Sequence, residues 1–92
     1  MEQLIGDMYL AAALLAYGAD LLRIDKSDKR HQKFVFTEGS VHHVWTDAGI
    51  THMKVASPSI KDVETFYVAK KLVFPPSYPD TIRSIKSAIH SG

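Results

Sequence analysis

Three histidines, His42, His43 and His52, come closest in this chain to a metal-ligating set, because imidazoles carried on two neighbouring strands can converge on one transition-metal ion. Their spacing works against it. Successive residues of a strand point to opposite faces, so His42 and His43 cannot both reach one ion without a bulge, and His52 can join only one of them. They are read as sheet-surface histidines, and neither a metal nor a cofactor is expected. Acid–base hydrolysis needs two carboxylates held in a cleft. Here Asp7, Asp62 and Asp80 sit where helices begin, and Asp25, Asp28 and Asp47 sit where turns fall. The glycines are scattered singly, which leaves no phosphate-cradling loop. No catalytic residue is assigned, and the chain is expected not to be an enzyme.

The basic side chains make a better candidate. Arg83, Lys86 and His90 recur at i, i+3 and i+7 on a predicted helix, and Lys70 and Lys71 close the helix before it. Together they could follow a phosphate backbone. The competing explanation is a solvated helix face with cations near its C-terminus, where the helix dipole favours them. Net charge is only +1, which gives weak long-range steering. It is unevenly spread: residues 1–50 hold five basic and seven acidic side chains, and residues 51–92 hold six and three. Tyr67, Phe74 and Tyr78 lie near these cations and could stack on bases, with packing around the Pro75, Pro76 and Pro79 corner as the competing explanation. Trp45 is the residue most suited to anchor a protein contact, given the place of tryptophan at interface hot spots, with burial in the sheet as the alternative.

These side chains need elements to hold them. Asp7 can cap a helix from Met8 to Tyr17 that Gly18 ends in the left-handed conformation. Leu22 and Ile24 alternate with polar residues, Ser27 to Arg30 form a turn, and Phe34 and Phe36 mark a second strand broken by Glu38, Gly39 and Ser40. A third strand is expected through Val41 to Thr46 and a fourth from Ile50 to Ala56, joined at Asp47, Ala48 and Gly49. Ser59 and Asp62 have capping-box spacing for a helix with Val63, Phe66, Ala69 and Val73 on one face, stopped by Pro75 and Pro76. Ser77 and Asp80 repeat that spacing before the stripe Ile82, Ile85 and Ile89.

The 92 residues, 46% hydrophobic and 23% charged, suit one ordinary globular domain with one core. The expected fold is α+β: a helix, a four-stranded antiparallel sheet, and two C-terminal helices packed on one face. The absence of cysteine fits a reducing compartment, Glu2 and Asp7 stand where a secretory leader would carry cations, and the uncharged run Met8–Tyr17 is too short to span a bilayer. A cytoplasmic protein is expected. The first helix is apolar on several sides, so it needs cover either from its own chain or from a second copy in a homodimer.

The segment Asp7-Met8-Tyr9-Leu10-Ala11-Ala12, followed by Leu14 to Gly18, resembles the opening of small domains of unknown function found in phages, prophages and other mobile elements. The segment Ile82 to Ser91 is similar to the closing helix of those domains. The resemblance implies a mobile-element accessory protein that acts by binding and carries over no site residue. The expected partner is nucleic acid or a nucleoprotein complex, met through Lys70, Lys71, Arg83, Lys86 and His90. The alternative is a protein-binding module, such as an inhibitor of a CRISPR-type host defence complex or a small subunit of a larger assembly, using Trp45, Tyr67 and Tyr78. No small-molecule substrate is expected.

Overall fold

The computed structural model describes residues 2–27, 32–49 and 51–90. Along the chain run β1 (Glu2–Ile5), α1 (Met8–Ala16), β2 (Leu21–Asp25), β3 (Lys33–Thr37), β4 (His43–Ala48), β5 (Thr51–Ala56), α2 (Ile60–Val68) and α3 (Tyr78–His90). The α+β class holds, but the single four-stranded sheet does not. The strands form a three-stranded antiparallel sheet in the order β1-β3-β2 and a separate antiparallel pair, β4-β5. The cause lies at the amino terminus. β1 pairs with β3 from Glu2↔Thr37 to Ile5↔Phe34, on the edge that β4 would have needed for a meander. After β3 the chain turns at Gly39, whose φ of +86° is easily adopted only without a Cβ, and leaves for the second sheet. The expected turn over Ser27 to Arg30 and the start of the fourth strand at Ile50 fall partly outside the described residues.

α1 starts where Asp7 accepts backbone hydrogen bonds from Tyr9 at 2.8 Å and Leu10 at 3.2 Å. It ends in a Schellman arrangement: Gly18, at φ +92°, donates to the Leu15 carbonyl and Ala19 to the Leu14 carbonyl. Leu10 through Leu14 are all buried. Phe34 and Phe36 from β3 join the same core, α3 runs beside α1, and α2 meets it as well. Thr81 of α3 donates its hydroxyl to the Ala12 carbonyl at 2.8 Å. The chain's own elements therefore cover the apolar residues for which a homodimer through α1 was the other solution.

The isoleucine stripe of α3 faces inward as its spacing predicts, with Ile85 fully buried and Ile82 and Ile89 packed against the core. α2 begins with a complete capping box: Ser59 and Asp62 exchange side-chain-to-backbone hydrogen bonds, each 3.0 Å, and Glu38 accepts from the Ile60 N–H. Its C-terminus differs from expectation. The helix ends at Val68, well before the proline pair, because Lys70 takes a left-handed conformation with φ +60°. Lys70 donates to the Tyr67 carbonyl and Lys71 to the Phe66 carbonyl, a second Schellman arrangement, and the chain then turns toward β4. Val73, expected on the helix face, instead donates its N–H to the Trp45 carbonyl at 2.9 Å, and Asp47 donates to the Lys71 carbonyl. β4 is thereby flanked by β5 on one edge and by residues 71–73 on the other.

Candidate binding surface around Phe74

β4 places its side chains by simple alternation. Val44 and Thr46 are buried, so His43, Trp45 and Asp47 take the outer face, with Lys54 and His52 beside Trp45 and Asp47 on β5. Trp45 is 43% exposed. The pairing of residues 71–73 with β4 brings Val73 next to Trp45 and leaves the following Phe74 outside the sheet. Tyr17, at the C-cap of α1, reaches over this junction and donates its hydroxyl to the carbonyls of Val73 and Trp45. Burial pushes the Tyr17 phenol up to about 12.

Phe74 lines two hollows. The first, about 400 Å³, is lined by Tyr17, His43, Trp45, Phe74, Pro75 and Pro76, among others. The second, about 360 Å³, is lined by Tyr67, Val68, Lys70, Leu72 and Phe74. The rings are mutually braced. Phe74 stacks on Tyr78 with centroids 4.3 Å apart and planes 10° from parallel, and Tyr78 donates its hydroxyl to the Tyr9 carbonyl at 3.2 Å. Burial, with the Asp7 carboxylate nearby, raises the phenols of Tyr67 and Tyr78 above their ordinary value. Phe74 and Val68 are exposed at 42% and 74%, and Tyr9 lies at the far end of the band. A monomer surface that exposes this many large apolar side chains together resembles an interaction surface more than a solvated one.

The structure brings Trp45, Tyr67, Tyr78 and Lys70 onto this one band. Lys71 is exposed just beyond it, with its carbonyl tied to Asp47. Arg83, Lys86 and His90 are exposed on α3, opposite its isoleucines, and Arg83 forms a loose 3.9 Å pair with Asp80. They have different surroundings from Lys70: Arg83 lines a shallow depression with Ser84, Ser87 and Ala88, and the end of α3 meets Lys26, whose ammonium donates to the Ala88 carbonyl at 3.1 Å. The five expected basic residues thus fall into two groups. His42, His43 and His52 are all exposed, and the described residues contain no cluster of three or more histidines or acids able to hold a metal. No described helix is long and apolar enough to cross a membrane.

Sequence reasoning missed the part played by Tyr17, Val68, His43 and Tyr9. The sequence held one usable signal, the run Val73-Phe74-Pro75-Pro76, in which a large ring precedes two residues that cannot continue a helix. The remaining members meet only through tertiary contacts. Comparison with protein-family models, with curated proteins and with solved structures finds no match. The resemblance to mobile-element domains therefore rests on the first and last segments of the chain alone.

Proposed function

We propose that this domain is a binding module without chemistry of its own, and that it holds a protein partner on the aromatic band centred on Phe74. The observation that carries this reading is the pair of hollows sharing Phe74 as their common wall, with Trp45, Phe74 and Val68 left 43%, 42% and 74% exposed. Rigid rings of this kind anchor interfaces at small cost in side-chain entropy. Lys70 adds support. A left-handed residue closing a helix is usually glycine, and a side chain there costs about 1 kcal/mol. A lysine held in that conformation and lining a hollow fits a residue kept for contact more than for stability.

The nucleic-acid reading has less behind it. Of Lys70, Lys71, Arg83, Lys86 and His90, only Lys70 lines the aromatic hollows, whereas a bound strand presents a phosphate at every nucleotide. Panning a random-peptide display library on the wild-type domain and on a Trp45→Ala, Phe74→Ala double variant tests the proposal. Enrichment on the wild type that the double variant loses is expected, since truncating one interface anchor costs on the order of 2 kcal/mol. Failure to enrich, or equal enrichment on both proteins, would reject it. Retention of thymidine or uridine 20-mers at low salt, lost on the same two substitutions, would favour the nucleic-acid reading instead.

A further inference from the structure

We propose, building on the protein-binding reading, that the occupant of the band is an extended proline-rich segment in the polyproline II conformation, with an acidic residue at one end, lying across Phe74. Three features point to it. The first is shape. Two hollows that share Phe74 in their lining suit a ligand that presents bulky groups at intervals, as a three-residue-per-turn polyproline helix does every third residue. A bound α-helix would instead lay a continuous stripe into a continuous groove.

The second is hydrogen-bonding character. Trp45 and Val73 both line the first hollow, and each backbone carbonyl already has a donor: the Trp45 carbonyl accepts from the Val73 N–H and the Val73 carbonyl from the Tyr17 hydroxyl. Trp45 and Lys70 add two side-chain donors. The Trp45 indole N–H donates to no described residue, and the Lys70 ammonium lines the second hollow. A proline-rich segment is the mirror image: it has carbonyls that make no internal hydrogen bonds, and its prolines have no N–H to satisfy. Aromatic surfaces with an indole donor suit such segments, which arrive already extended and lose little entropy on binding.

The third is charge. No carboxylate lines either hollow, whereas Lys70 lines one and Lys54 pairs across the strands with Trp45, which lines the other. One acidic side chain on the ligand, close to Lys70, answers this without the phosphate track that a nucleic acid would bring.

The test is fluorescence anisotropy of a labelled peptide of eight prolines followed by two glutamates, titrated with the intact domain. Saturable binding with a Kd below about 1 mM is expected. Phe74→Ala should weaken it at least tenfold and Trp45→Phe, which keeps a ring and removes the N–H, several-fold. Lys70→Glu should weaken it about tenfold, and exchanging the peptide's glutamates for lysines should restore the loss. Far-UV circular dichroism checks that each variant is folded, and the mild Trp45→Phe change keeps the test decisive if Phe74→Ala is not. An alanine-for-proline peptide binding equally well would overturn the proposal. So would a flat titration. If proline-free display peptides still require Trp45, that flat titration removes only the proline-rich occupant; if panning fails too, the binding reading falls with it. Tighter, Trp45-dependent binding of a uridine 20-mer would likewise overturn the choice of a peptide.

Discussion

The Tyr17 hydroxyl joins three pieces of chain that are remote in sequence: the end of α1, β4 at Trp45, and the edge segment at Val73. Tyr17→Phe leaves the Val73 carbonyl without this donor in a half-buried place and is expected to lower stability by ~1–2 kcal/mol, measurable by urea denaturation. The same hydroxyl gives a pH dependence whose sign follows from its raised pKa. Unfolded, the phenol ionises near 10.0; folded, it holds its proton up to about 12. Its contribution is complete below pH 10 and disappears as pH rises toward 12. The melting temperature should therefore fall over that interval, and Tyr17→Phe should flatten part of the fall. Tyr67 and Tyr78, also raised, supply slope of the same sign. A wild-type melting curve indifferent to pH between 10 and 12 would contradict this. None of it was legible in the sequence, because a tyrosine beside a helix-ending glycine says nothing about which carbonyls lie across the core.

At the scale of elements, the helix starts were legible and one helix end was not. Asp7, and Ser59 with Asp62, announce their caps through short-range chemistry, and the structure contains those hydrogen bonds. Gly18 announced the end of α1 in the same way. Lys70 did not announce the end of α2, since propensity argues against a lysine at φ +60° and the proline pair offered a more obvious stop. Lys70→Gly should relieve that strain and stabilise the domain by about 1 kcal/mol in thermal or urea unfolding. If Lys70 serves a ligand, the same substitution should also weaken the polyproline peptide, separating stability from binding. A Lys70→Gly protein no more stable than the wild type would remove the strain as support for a binding role. β1 escaped notice for another reason: four residues give too little alternation to tell a strand from a leading tail.

Across the whole molecule, two sheets share one core. Phe34 and Phe36 of the three-stranded sheet, Val44 of the pair, Leu72 beside it, and Ile60, Val63 and Ile85 of the later helices belong to one continuous buried cluster. Unfolding should accordingly be a single transition. Trp45 fluorescence, which reports the β4-β5 pair, and far-UV circular dichroism, which reports mainly the helices, should give coincident urea midpoints. Separated midpoints would show that the pair unfolds on its own. α1 is the centre of this arrangement, which is why light scattering is expected to give the mass of one chain and not a dimer built on that helix.

From residue type and spacing alone came the α+β class, the three helices with most of their caps, four of the five strands, and the inward isoleucines of α3, all set by interactions a few residues long. Sequence also narrowed the candidate contacts to Trp45, Tyr67, Phe74, Tyr78 and the basic positions. Tertiary structure decided which strand pairs with which, because the free edge of β3 goes to β1, far away in the chain. It also decided that Trp45 faces out, that Lys70 parts from Arg83, Lys86 and His90, and that Tyr17 and Val68 join Phe74 in the band. Those outcomes depend on long-range pairing and burial, for which a local pattern carries no signal.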